Sequence, residues 1–110
     1  MNHPILYGVY AAEFPFFESG EEKVRPVIVV SGAIGKHGIV AVVPITSKTD
    51  KQSIDVTMIS WRNSGLLRPS VARVHRLSTI LQSKLGSYLG TLALDDTKRL
   101  KESMRQFLDL

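Results

Sequence analysis

For most of this chain, apolar residues fall in short blocks divided by turn residues; only the C-terminal segment repeats with a helical period. Ile5 to Phe14 mixes apolar and aromatic positions and reads as a first strand ending at Pro15, followed by a polar loop from Phe16 to Lys23. Arg25-Pro26-Val27-Ile28-Val29-Val30-Ser31 is a near-continuous β-branched run. Such a run predicts a largely buried strand, with Pro26 near its start, where a missing N–H is tolerated. Gly32 to Gly38 turns the chain, and Ile39 to Val43 repeats the β-branched signal until Pro44, giving an antiparallel pair. Ile45 to Ser53 is polar and loop-like, Ile54 to Ile59 is a short strand, and Trp61 to Pro69 holds the turn signal Asn63-Ser64-Gly65. Ser70 to Val74 and Leu77 to Ile80 return to strand-like spacing. Leu100, Met104, Phe107 and Leu108 then lie on one face of a helix that Asp95 or Asp96 could cap.

Short strands without crossover helices, closed by one helix, predict a mainly β (α+β) fold: a small barrel with a C-terminal α-helix. At 110 residues and 44% hydrophobic content the chain suits one compact domain spanning residues 1–110. No apolar run approaches the roughly 20 residues of a membrane helix, and Met1-Asn2-His3-Pro4-Ile5 lacks the pattern of a signal peptide, so a cytoplasmic protein is expected. With no cysteine there are no disulfides, no thiolate metal sites and no cysteine nucleophile.

Charge alters this picture through its placement. Residues 1–60 carry five Lys/Arg against six Asp/Glu, whereas residues 61–110 carry nine against four, so the second half holds the excess that would attract a polyanion. Lys98, Arg99, Lys101 and Arg105 fit the solvated face of the helix. Arg62, Arg68, Arg73 and Arg76 fall in and beside strand-like segments and are better candidates for contacts.

Two segments place a polar residue where a buried strand meets a loop: Arg25 before its strand and Thr46-Ser47 after Pro44-Ile45. If the strands pair through the Gly32 to Gly38 turn, Arg25 and Thr46 share one open end. A guanidinium fork beside a hydroxyl can hold a phosphodiester. The alternative is an arginine paired with Glu21 or Glu22 and a Thr-Ser that closes a turn. On the residues alone that alternative is the commoner arrangement. His37 sits in a turn where solvated histidines are usual, His75 is flanked by Arg73 and Arg76, and His3 lies beside Pro4 at the terminus. Their spacing makes no case for zinc. Trp61 suits a core or an interface better than base stacking, with the interface favoured, and Phe16 suits the core.

Phe14-Pro15-Phe16, Lys23 to Ser31, Pro44-Ile45-Thr46-Ser47, Gly65-Leu66 and Pro69-Ser70-Val71-Ala72-Arg73 occur in the order and spacing of the MazF/PemK toxins, and Leu89-Gly90-Thr91-Leu92 before a helix also fits. The chain resembles that family from about Ile5 to Leu110. The resemblance implies an SH3-like barrel of the MazF/PemK/CcdB type, a homodimer, and cleavage of single-stranded RNA at short motifs without metal or other cofactor. It places the catalytic positions on Arg25 and Thr46. Lys23, Ser47, Arg73, His75 and Arg76 are then candidate RNA contacts, and Glu21 or Glu22 a candidate acid in the first loop. It also implies a cognate antitoxin whose acidic, partly disordered segment covers the basic groove. Other readings on the same scaffold are a CcdB-like gyrase poison and a non-catalytic RNA-binding barrel. Two departures stand out: Tyr7-Gly8 where family members commonly have Gly-Asp, and Gly20 where a glutamate often precedes the arginine by five residues.

Overall fold

The computed structural model describes residues 3–15, 22–48 and 53–110. Its strands are β1 (Gly8–Pro15), β2 (Glu22–Val29), β3 (Ile39–Thr46), β4 (Val56–Met58), β5 (Ser70–Ala72), β6 (Ser78–Leu81) and β7 (Leu85–Thr91), followed by helix α1 (Leu94–Leu108). Phe16, Phe17, Gly20 and Glu21 lie outside the described residues, and Glu22 enters only as the first backbone position of β2.

The central ladder is antiparallel, β7-β1-β2-β3-β6, and a 3₁₀ turn at Gln82–Lys84 carries the chain from β6 back to β7. This curls the sheet into the expected SH3-like barrel, although the ladder stays open between β6 and β7. The curled sheet encloses Ala12, Phe14, Val27, Val29, Val40 and Val42. Its other face carries Val9, Ile28, Val43 and Ile45, covered by Val56 and Met58 of β4, Ala72 of β5, and Leu100 of α1. The Val27–Val29 stretch of β2 is therefore buried on both sides, which is why its sequence is a continuous β-branched run rather than an alternation.

Several boundaries differ from expectation for identifiable reasons. β1 starts at Gly8 because Tyr7 has φ 62° and Gly8 N–H closes a tight turn onto the Ile5 carbonyl at 2.8 Å. β3 does not stop at Pro44. Its pairing with β2 ends at Val27↔Pro44, and the Pro44 carbonyl instead accepts the Arg73 N–H at 2.9 Å, so the missing proline N–H falls where the strand changes partner. Beyond that corner Ile45 pairs with Ala72 and Thr46 with Val71. β7 was not anticipated as a strand. Two glycines and a mostly exposed surface deprive it of a burial period.

α1 forms as expected but is not capped by Asp95 or Asp96. Its N-cap is Ala93, without a side-chain hydrogen bond. Asp96 is buried within the first turn, where its carboxylate accepts the Ile59 and Ser60 N–H groups, both at 3.0 Å, and pairs with Arg99. Ser103 likewise donates to the Ile54 carbonyl, so the helix is docked through polar anchors as well as through Leu100 and Met104. Its apolar face runs beyond the barrel, leaving Phe107 44% and Leu108 47% exposed. Among the described residues no helix is long and apolar enough to cross a membrane.

Candidate active site

The divergence of β2 and β3 opens a cleft. Each strand has a proline there, Pro26 and Pro44, with no N–H to extend the ladder. Continuing the register of Val27↔Pro44 by two positions would bring Arg25 opposite Thr46. Both residues line a cleft of about 560 Å³, which also takes in Ser47, Lys48, Leu66 and Arg68. Arg25, Thr46 and Ser47 thus line one cavity.

Two details prepare this cleft for an anion. Thr46 Oγ1 accepts the Lys48 N–H at 3.2 Å, the turn-closing bond anticipated from the sequence, and this leaves the hydroxyl proton to donate outward. The turn and the phosphate-binding reading are therefore compatible rather than exclusive. Among the described lining residues there are three cations, Arg25, Lys48 and Arg68, and no carboxylate. A wider groove of about 740 Å³ beside Tyr10 and Tyr88 has no arginine or lysine among its described lining residues.

The far wall of the cleft is set by contact between backbones. Gly65 has φ 79°, and a Cβ there would lie 1.9 Å from the Leu89 carbonyl oxygen. A Cβ on Gly90 would in turn meet the Ser64 carbonyl carbon at 2.6 Å. The loop carrying Leu66, Leu67 and Arg68 is thus seated on β7 at a distance that only paired glycines allow. Arg68 is held at its backbone, where its carbonyl accepts the Ser70 hydroxyl at 2.9 Å. Leu67 and Leu89 line the cleft without having been singled out individually. Their signal was the Gly65-Leu66 and Leu89-Gly90 motifs, which mark the contact without revealing that it makes a wall.

Other candidates lie elsewhere. Arg73 and His75 do not line the cleft; they converge on Asp55, with Arg73 Nη1 2.7 Å from Oδ2 and His75 Nδ1 3.3 Å from Oδ1. Arg76 belongs to the following 3₁₀ turn, and Lys23 is exposed on β2, opposite Phe14. His37 is exposed in its turn, and His3 borders the tyrosine groove. Trp61 packs against the outer core, with the Arg62 guanidinium 4.3 Å over its ring. Among the described residues no group of three or more His, Asp or Glu side chains is placed to hold a metal ion.

Comparison with solved structures shows the same fold in several toxins. A Mycobacterium tuberculosis toxin, MazF-mt6, shares 24% identity over 94% of this chain and 97% of its own, with a TM-score of 0.74. An endoribonuclease in complex with its cognate antitoxin, from Mycobacterial species, shares 19% over 97% and 96%, with a TM-score of 0.76. MazF in a MazE-MazF structure from Deinococcus radiodurans shares 18% over 100% and 99%, with a TM-score of 0.75. Comparison with curated protein sequences gives no significant match. The family described as PemK-like, MazF-like toxin of type II toxin-antitoxin system matches residues 7–108. By that match the chain belongs to the PemK-like, MazF-like toxin family of type II toxin–antitoxin systems.

Proposed function

We propose that the Arg25/Thr46 cleft is the active site of an endoribonuclease that cuts single-stranded RNA without a metal ion. The observation that carries this reading is the meeting of Arg25 and Thr46 in a cation-lined cleft with no carboxylate among its described lining residues. Family membership supports it, as do structural relatives that are themselves named endoribonucleases.

In the proposed reaction the ribose 2′-oxygen forms a bond to the adjacent phosphorus and the bond to the 5′-oxygen breaks. The products are a 2′,3′-cyclic phosphate and a 5′-OH; the 2′-hydroxyl loses a proton and the leaving oxygen gains one. Negative charge grows on the non-bridging oxygens meanwhile. The Arg25 fork and the Thr46 O–H act as donors aimed at that charge, and Lys48 and Arg68 hold the flanking strand. Arg25 acts electrostatically, because a guanidinium that stays protonated throughout the working pH range is a poor proton carrier. Ser47, Lys23 and Arg76 extend the contact with RNA outward. The working protein is a cytoplasmic homodimer, and an acidic segment of a cognate antitoxin occupies the same cation-lined surface and folds as it binds.

The test is cleavage of single-stranded RNA by the purified protein in EDTA, with analysis of the new ends. Cyclic-phosphate ends that disappear in Arg25→Ala are expected. Undiminished cutting by that variant would move the chemistry to another group or to a contaminating nuclease. Growth arrest with trapped DNA breaks and intact RNA would replace the reading with a gyrase poison.

A further inference from the structure

The proposed chemistry leaves one buried ion cluster without a part. The Asp55 side chain is 0% exposed, and a carboxylate taken out of water is costly unless it is paired. Arg73 supplies the pairing at 2.7 Å with a side chain only 12% exposed, and His75, at 33%, faces the second oxygen at 3.3 Å. The His75 contact is close enough for a charge interaction but is not a hydrogen bond. An arginine so enclosed has little surface left for RNA, although the sequence had marked it as a contact.

Its backbone gives the cluster a direction. Arg73 N–H donates to the Pro44 carbonyl, at the corner where β3 leaves β2. The residues just before it, Val71 and Ala72, are the pairing partners of Thr46 and Ile45. Val56, next to Asp55, pairs with the same Ala72. One carboxylate therefore ties the start of β4 to the end of β5, and the end of β5 holds the two-residue extension of β3 that terminates in Thr46. That extension pairs with a strand of three residues, so few ladder bonds fix it.

We infer that Asp55 and Arg73 are positioning residues that fix the β3 corner and hence the Thr46 hydroxyl. The catalytic consequence rests on the proposed endoribonuclease reading; the mechanical coupling does not. Thr46 is the group most exposed to an error in that corner, and misplacements of about 1 Å can cost on the order of a hundredfold in rate.

Asp55→Asn tests this, since it keeps the shape and an acceptor for Arg73 while removing the charge. Amide hydrogen exchange on the unliganded variant should accelerate about tenfold or more at Arg73 and Lys48, whose N–H groups bond to Pro44 and Thr46. It should stay unchanged at Tyr7 and Val30, which bond across the barrel to Val29 and Ala41. RNA cleavage, measured where the variant is fully folded, should lose about tenfold to a hundredfold in kcat with KM changed by no more than about twofold. Arg73→Lys, which keeps a cation for Asp55, should recover part of the rate lost in Arg73→Ala. Exchange that rises uniformly, or not at all, would reduce the cluster to ordinary stabilisation and overturn the inference. A raised KM with unchanged kcat in Arg73→Lys would make Arg73 an RNA contact and overturn it too. If the native protein cuts no RNA, the functional reading fails and the exchange pattern alone decides the coupling.

Discussion

Arg25 and Arg73 both adjoin a run of β-branched or small residues, and the sequence offers both as contacts for a polyanion. The fold gives them opposite surroundings. Arg25 lines an open cleft with Lys48 and Arg68, whereas Arg73 lies against the buried carboxylate of Asp55, a residue of the other half of the chain. Burial beside a fixed anion cancels most of the field a guanidinium projects into solvent; a cleft walled by cations strengthens it. Part of the positive excess counted in residues 61–110 is therefore offset by local pairing. Arg73 pairs with Asp55, Arg99 with Asp96 and Lys84 with Glu13, while two of the three cleft cations come from the first half.

Substituting each arginine should separate the two roles, with the largest change in stability. Arg73→Ala leaves a carboxylate buried without its arginine, and losing one partner of a buried pair costs about 3–5 kcal/mol. Denaturant unfolding should show that loss, and a shift under about 1 kcal/mol would mean that Asp55 is solvated in solution. Next comes Arg25→Ala, for which a loss of about 10² to 10³ in cleavage rate is expected, as for removal of one donor to a transition-state oxyanion. Its loss of stability should be smaller than that of Arg73→Ala. If both variants lost stability and activity in parallel, the contrast between cleft and cluster would collapse.

Gly65→Ala probes the far wall of the cleft. The positive φ and the 1.9 Å approach to the Leu89 carbonyl mean that a methyl group must lift the loop from β7. A loss of about 2–3 kcal/mol is expected, with weakened RNA cleavage because Leu66 and Arg68 move with the loop. Native-like stability would show that the loop already stands away from β7 in solution.

What the sequence made legible follows from where each signal resides. The double-faced burial of the second half of β2 is written in Val27 to Val29, because each of those positions meets a core. The Arg25/Thr46 pair was within reach because both ends of one antiparallel unit can be counted from its turn. Asp55 was out of reach as an ion-pair partner, since nothing local distinguishes a buried aspartate from a solvated one and its partner lies 18 residues away. Asp96 misled for a related reason. Its place in the first turn fits a cap, but its carboxylate serves the Ile59 and Ser60 amides, brought in by a loop far earlier in the chain. β7 went unseen because its two glycines answer to Ser64 and Ala11 rather than to a strand period of its own.

The smallest expected effect isolates burial as the cause of the difference between the arginines' surroundings. Glu13 and Lys84 also form an ion pair between segments distant in sequence, at 3.4 Å, but their side chains are 54% and 41% exposed. Water and ions screen such a pair, and holding two long side chains together offsets much of the attraction. Lys84→Ala should therefore cost less than about 1 kcal/mol, and the loss should shrink further near 1 M salt, where the screening length falls to roughly 3 Å. A double-mutant cycle on Glu13 and Lys84, set beside one on Asp55 and Arg73, compares two pairs of similar chemistry that differ chiefly in their contact with water. Salt-insensitive coupling in the buried pair and salt-sensitive coupling in the exposed one would attribute the difference to desolvation. Equal coupling would instead place its origin in strand geometry, and Asp55 would lose its claim to hold the β3 corner through charge.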